Sequence, residues 1–275
     1  MSICAFVNIN KSQNMTSSDA VVIVRGIMRR FTGEKHKVGH MGTLDPMATG
    51  VLPIAIGKST RLFDLLSEKK KTYIAEFVFG QTTDTLDAWG EVTETNNTVV
   101  SKEDIESVLP SLIGEVDQIP PTYSAKSVDG VRAYELARKL YKETGENPEA
   151  TSDFDTAAES LLRVSRIHIA ELELLSFKTN SCDEAKPIEA EKANASSRIN
   201  VTDNSALGLP RAVIRMACSK GTYVRAFARD LGETLGSGAH LDSLQRSRSG
   251  EFRVENALSV EQAISLLSDA QRSNN

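Results

Sequence analysis

The sequence predicts an α+β fold. Strand-like and helix-like apolar periodicities are mixed along the chain without strict βαβ alternation, and no segment repeats at a fixed period. The 275 residues, 40% of them hydrophobic and 25% charged, are enough to bury a core without metal or disulfide support.

The elements follow in order. Residues 4–9 read as a strand. Thr16, Ser17 or Ser18 can cap a helix running to about Phe31, with Val21, Val24, Ile27, Met28 and Phe31 as its buried stripe. Residues 38–50 (VGHMGTLDPMATG) form a loop that leads into an apolar strand at 51–57, and a short helix follows near 59–66. In KTYIAEFVFG, at 71–80, the alternation of Tyr73, Ala75, Phe77 and Phe79 marks a half-buried strand. A second strand near 91–94 is expected to pair with it. Ser101 and Asp104 resemble a capping box for a helix to about Leu112. Residues 131–141 read as a helix, 161–177 and 212–219 as strands, and 222–236 as a helix entered through Lys220 and Gly221. Short strands near 240–254 and a helix from Ser259 to about Ala270 complete the chain.

Two stretches read as flexible insertions. Residues 143–160 hold six acids and no base, and residues 179–209 are rich in Ser, Asn and Ala without apolar periodicity. The rest reads as one domain spanning 1–275. The net charge of −5 is concentrated: residues 142–210 carry −6 and the remainder +1. An overall acidic protein can therefore still present a face suited to phosphate, which needs local rather than total charge. The acidic loop is expected to point away from any such face.

Cys4, Cys182 and Cys218 are odd in number and unpaired in motif. His36, His40, His168 and His240 are scattered. Neither set suits a disulfide framework or a metal site, and a reducing compartment is expected. There is no basic start followed by a long apolar stretch and no apolar run of about 18 residues, so neither a signal peptide nor a membrane helix is expected.

The densest chemical signal is Gly39-His40-Met41-Gly42-Thr43-Leu44-Asp45-Pro46-Met47-Ala48-Thr49-Gly50. Glycines let a ligand approach the backbone closely, and an Asp before Pro is kept out of helical conformation. By residue type alone, Asp45 reads more readily as a turn residue than as a catalytic carboxylate. The order of segments adds more. G-T-L-D-P-x-A-T-G is similar to the motif around the catalytic aspartate of pseudouridine synthases. GHMGTLDPMATGVLPIAIGKSTRL resembles the TruB family almost throughout. Further matches follow in the family's order at 71–92, 119–138 and 218–250, with a weaker one at 7–25.

The resemblance implies the pseudouridine synthase fold, a mixed and mostly antiparallel central sheet flanked by helices. It implies an isomerase, an intramolecular transferase that converts uridine-55 of the tRNA T-loop to pseudouridine. Asp45 matches the nucleophile, Tyr73 the active-site tyrosine of K-x-Y, and Arg225 the arginine of G-T-Y-x-R. His40 matches a residue that helps open the T-loop, and Leu244 one that lines the uracil pocket. Asp87 matches an aspartate of T-D-T-x-D. Lys11 and Lys220 match basic residues near RNA or the active site, and these five are the expected substrate contacts. No cofactor or metal is implied, because the N1–C1′ bond is exchanged for C5–C1′ with no redox change and no atoms lost. The expected partner is the tRNA T-arm, the expected state a cytoplasmic monomer without an obligatory protein partner.

A carboxylate can attack the sugar, attack the ring or remove a sugar proton, and every route needs it ionised. A neighbouring guanidinium favours that form, and Arg225 is the candidate. Arg246, Arg248 and Arg253 form a basic cluster suited to an RNA backbone or to a solvated strand edge. Lys220 and Gly221 precede a helix N-terminus, where backbone N–H groups favour phosphate.

Departures from the family pattern also matter. Ser12 and Asn14 stand where a proline and a glycine are usual, and Asn tolerates positive φ better than most residues. Ser127 stands where many members carry a lysine. Only 25 residues follow the last matched segment, so no C-terminal PUA domain is expected. The alternatives are a tRNA folding chaperone and a guide-RNA-dependent enzyme acting on ribosomal RNA. A two-carboxylate hydrolase is the outsider, with Asp87 as its second acid.

Overall fold

The computed structural model describes residues 3–63, 70–121, 124, 127–128, 131–132, 164–179 and 208–272. They fall into two compact units, one formed by residues 1–74 and 244–275 and the other by residues 75–243.

In the first unit, β1 (Cys4–Lys11) lies antiparallel to β3 (Thr49–Gly57) along its whole length, from Cys4 opposite Gly57 to Lys11 opposite Gly50. On the other edge of β3, β2 (Val38–His40) pairs antiparallel with Ile54–Ile56. β12 (Ala239–Ser249) pairs parallel there through Gln245 opposite Thr49 and Arg246 opposite Gly50. β13 (Phe252–Arg253) turns back on β12. The first residues of β4 (Lys71–Phe79) lie on the far side of β12. The near-continuous apolar run of β3 is that of a strand covered on both faces: Val51, Leu52 and Ile54 are wholly buried.

Helix α1 (Ser17–Thr32) starts where Thr16 caps it in a full capping box with Asp19 and stops at Gly33 in left-handed conformation. Its buried stripe is Ala20, Val21, Val24 and Met28, while Ile27 and Phe31 are half-buried. The C-terminal segment joins this unit through Leu258, whose N–H donates to Asn8 and whose carbonyl accepts from Asn10.

The second unit orders its main strands as β4, β11 (Arg211–Cys218), β10 (Ser165–Lys178) and β7 (Gly114–Gln118). β10 is antiparallel to both β11 and β7. Helix α2 (Lys102–Val108) has the expected capping box between Ser101 and Asp104 and tightens into a 3-10 turn to Leu112. Helix α3 (Val224–Thr234) covers β4 with Phe227, whose ring centroid lies 5.6 Å from that of Phe77. Helix α4 (Val260–Arg272) belongs to the first unit. The architecture is the predicted α+β: among the described pairings β12–β3 is parallel, as are the isolated bridges Ile9–Leu258 and Asp87–Leu241, while β1–β3, β2–β3, β10–β11, β10–β7 and β12–β13 are antiparallel.

Several local expectations need correction. The strand near 91–94 exists as β6 (Val92–Thr95), but it pairs with β5 (Gln81–Thr83) instead of with 71–80. Gly80, at φ 99°, turns the chain between β4 and β5, and its carbonyl accepts from Asn96. The short helix near 59–66 is a 3-10 turn at Lys58–Leu62. The short strands at 240–254 are one long strand, β12, plus β13. β7 was not anticipated. Of the helix expected at 131–141, Val131 and Arg132 form β9 in a small hairpin with β8 (Ser127–Val128), and the remainder lies outside the described residues. The expected insertions at 143–160 and 179–209 also lie outside them, apart from residues 179, 208 and 209.

Candidate active site

The Asp45 loop leaves β2 at His40 and re-enters the sheet at Thr49 in β3. Beyond Met41, whose N–H donates to Pro53 O on β3 at 2.8 Å, its peptide groups have no ladder to pair with, and buried backbone polar groups must be satisfied in some other way. Side chains from three elements do this. Ser17, the first residue of α1, donates through Oγ to the Leu44 carbonyl at 3.0 Å and accepts from the Leu44 N–H at 2.8 Å. Lys11, at the end of β1, is 0% exposed. Its Nζ donates to the carbonyls of Ser12 at 2.9 Å, Met15 at 2.7 Å and Pro46 at 3.3 Å. Arg246 on β12 donates from Nε to Val51 O at 2.8 Å, from Nη1 to Thr43 O at 3.3 Å and from Nη2 to Gly42 O at 3.0 Å. The loop closes with Ala48 N–H on Asp45 O, and Asn14 N–H reaches Pro46 O. The peptides on both sides of Asp45 are thus pinned, while its side chain stays half-buried.

Burial holds the Lys11 ammonium down to about 8. The Asp45 carboxylate pulls the other way, and the Arg246 cation adds to the depression. Asp45 and Lys11 are therefore electrostatic neighbours. Lys11 lies beside the Asp45 loop, wholly enclosed. Asn14 adopts φ 63°, as expected of a residue standing in a glycine position.

Three more predicted residues lie in the same unit. His40 ends β2 opposite Ile54, Tyr73 is buried in β4, and Leu244 is buried in β12, where its carbonyl accepts from Thr49 Oγ1 at 3.4 Å.

The second unit holds the others. Arg225 is buried on the first turn of α3, with Nη1 donating to Thr85 O at 3.0 Å and Nε 3.7 Å from Asp87 Oδ2. Asp87 Oδ1 accepts from Thr85 Oγ1 at 2.7 Å and from Trp89 N–H at 3.1 Å. The segment carrying Asp87 is docked on the start of β12 through Ala88 and Leu241. Asp87, expected among the substrate contacts, thus has a role inside the protein, as counter-ion to Arg225. Lys220 is exposed in the turn between β11 and α3, where Gly221 has φ 86° and Tyr223 caps α3 without a side-chain bond.

The basic cluster divides. Arg248 and Arg253 are exposed, whereas Arg246 is 1% exposed and turned inward, so it offers nothing to an RNA backbone. Sequence reasoning named Ser17 only as a possible helix cap and Arg246 only within a basic cluster, and missed that both hold the Asp45 loop. The available signal for Arg246 was its alternation with Leu244, which puts both on one face of β12. Among the described residues, no cluster of His, Cys, Asp and Glu could hold a metal ion.

Comparison with known proteins defines the class. The fold matches that of solved chains in a "Cbf5-Nop10-Gar1 Complex" (TM-score 0.60, 21% identity) and an "H/ACA RNP bound to a substrate RNA containing 2'-deoxyuridine" (TM-score 0.58, 20% identity). Each match covers 98% of this chain but only a little over half of the other, 56% and 55%. At the level of sequence, residues 29–224 match the model of the TruB family pseudouridylate synthase N-terminal domain. The chain is 38% identical over 259 residues to the tRNA pseudouridine synthase B of Syntrophomonas wolfei, covering 94% of this chain and 71% of that one. It is 40% identical over 236 residues to that of Phocaeicola vulgatus, covering 86% and 80%. The chain belongs to the TruB family of pseudouridylate synthases.

Proposed function

We propose that this protein is a stand-alone tRNA pseudouridine synthase that isomerises uridine-55 of the T-loop, with Asp45 as nucleophile. The observation that carries this reading is the loop that presents Asp45. The peptides around the carboxylate are anchored by the side chains of Ser17, Lys11 and Arg246 and by the Ala48 N–H, while Asp45 itself is left half-exposed. Such preorganisation is what a nucleophile requires and a turn aspartate does not.

The target uridine is stacked within a folded loop, and extruding it costs a few kcal/mol. In this proposal His40 fills the space the base leaves, and Leu244 lines the uracil pocket. Tyr73 holds the freed ring by stacking, an interaction of about 1–3 kcal/mol. Arg225 keeps the nucleophile ionised, with Asp87 fixing its guanidinium. Lys220 meets the RNA backbone. The whole chain acts as one catalytic domain, a cytoplasmic monomer that needs neither cofactor nor protein partner. No helix among the described residues is long and apolar enough to cross a membrane.

Purified protein incubated alone with unmodified tRNA should form one pseudouridine, at position 55. Asp45→Asn should lower turnover by about 10^4-fold or more while RNA binding persists, since loss of a covalent nucleophile removes the reaction's path rather than its binding energy. A guide-RNA-dependent enzyme would be inactive in this assay, and a folding chaperone would lose nothing in Asp45→Asn.

A further inference from the structure

The guanidinium of Arg246 belongs to no part of the proposed chemistry, yet it is among the largest fully buried side chains of the molecule. Burying a cation is costly unless it is hydrogen-bonded throughout, so its partners indicate its purpose. All three are backbone carbonyls. Two, Gly42 and Thr43, lie on the loop just before Asp45, and the third, Val51, lies on β3 just after the loop. A guanidinium carries its donors in one rigid plane, so it fixes the positions of its acceptors relative to one another. It therefore ties the outgoing limb of the Asp45 loop to the strand into which the loop returns.

Arg246 is itself rigidly placed. Its backbone is in parallel register with Gly50. A Cβ at Gly50 would lie 2.3 Å from the Arg246 carbonyl oxygen, so the two backbones are in direct contact and only glycine fits. A continuous line of contacts thus runs from the β12 backbone through the guanidinium and two carbonyls to the peptide preceding Leu44, one residue before Asp45. Lys11, from β1, and Ser17, from α1, hold the other limb and the loop's centre, but neither side chain ties the loop to β3.

We propose that Arg246 is a positioning residue for the nucleophile, acting through the carbonyls of Gly42, Thr43 and Val51 and not through RNA. The proposal rests on Asp45 being the nucleophile. A lysine at this site keeps the charge, but its compact ammonium cannot span three carbonyls in a plane. A loop that drifts by about 1 Å can lose about 100-fold in rate.

The test is Arg246→Lys, read in two ways. With tRNA, kcat should fall about 100-fold while KM, the RNA dissociation constant and the thermal midpoint stay close to wild type. Without RNA, amide exchange at Leu44 and Ala48 should quicken at least tenfold, while that of Leu52 and Ile54 in β3 is unchanged. An unchanged kcat overturns the proposal, as does a loss carried in KM, or slow exchange retained at Leu44 and Ala48. An Arg246→Lys chain that does not fold also overturns it, because the guanidinium would then be a folding element. The exchange measurement involves no turnover, so inactivity of the wild type on tRNA would sink the functional reading and leave the Arg246 result to stand separately.

Discussion

Asp45 and Arg225, the proposed nucleophile and its proposed cationic partner, are held by the fold in different ways. Asp45 sits in irregular chain, and side chains reach in to grip its backbone: Lys11, Ser17 and Arg246 all end on peptide groups. Arg225 sits in the first turn of α3, where Gln118 pairs with both the N–H and the carbonyl of the cap residue Tyr223, and its side chain is gripped in addition, by Thr85 and Asp87. A loop exposes its functional group at the expense of its peptide hydrogen bonds, which must be repaired from outside. The start of α3 needs only the one repair that Gln118 makes, and the rest of the Arg225 surroundings orients the head group. Damage to the first arrangement should therefore appear as misplaced backbone, and damage to the second as an uncompensated charge.

The largest stability effect is expected in the second region. Asp87→Ala takes the Asp87 carboxylate from the buried Arg225 guanidinium and removes the Oδ1 acceptor shared by Thr85 Oγ1 and Trp89 N–H, leaving Thr85 Oγ1 its 3.5 Å contact with the residue-87 carbonyl. Breaking one side of a buried pair costs about 3–5 kcal/mol. Urea denaturation should show a loss of that size, with Asp87→Asn losing less because its amide oxygen can still accept from Trp89. A loss below about 1 kcal/mol would mean that the Arg225 head group is not held by charge at all, and the contrast between the regions would fail.

The sequence exposed the first region more fully than the second, for physical reasons. The capping residues Thr16 and Asp19, the stripe of α1 and the apolar run of β3 each follow from local rules, and they place the loop containing Asp45. The inward turn of Arg246 does not follow locally. Arginine is usually a surface residue, and its acceptors lie about 200 positions away in sequence. β7 was hidden because Val116 is the lone large apolar residue in Gly114–Gln118. The pairing of β6 with β5 depended on the left-handed Gly80, which ends one strand pairing and starts another. The Arg225–Asp87 pair joins two segments that were recognised separately, but their contact is tertiary and no spacing rule encodes it.

A medium-sized effect should appear as a pH dependence of the first region. Burial depresses the Lys11 ammonium to about 8 from its ordinary 10.5, so the folded chain releases this proton before the unfolded chain does. Between pH 8 and 10.5 the unfolded state binds more protons, and the unfolding free energy gains from this residue as pH rises. The gain is at most about 1.4 kcal/mol per pH unit. Wild-type stability measured relative to Lys11→Met should therefore increase from pH 8 to pH 10. Parallel curves for the two proteins would show that the three carbonyls hold the ammonium charged against burial, which would make the grip on the loop stronger than the depressed value implies.

The smallest effect lies at Asn14, which supports the loop from its flank. Its N–H donates to Pro46 O at 3.0 Å, the same carbonyl that Lys11 engages, and it does so from φ 63°. Left-handed backbone costs a residue with a Cβ roughly 1–2 kcal/mol, a cost that asparagine partly avoids and glycine avoids entirely. Asn14→Ala should destabilise the protein by about 1 kcal/mol, and Asn14→Gly should lie within about 0.5 kcal/mol of wild type, both read from denaturant midpoints. Both substitutions remove the carboxamide and differ only by the Cβ, so the difference between them reports the cost of a Cβ in left-handed backbone. If alanine proved as harmless as glycine, the turn would not need its left-handed geometry to deliver the N–H to Pro46, and the Asp45 loop would owe less to backbone placement than its contacts suggest.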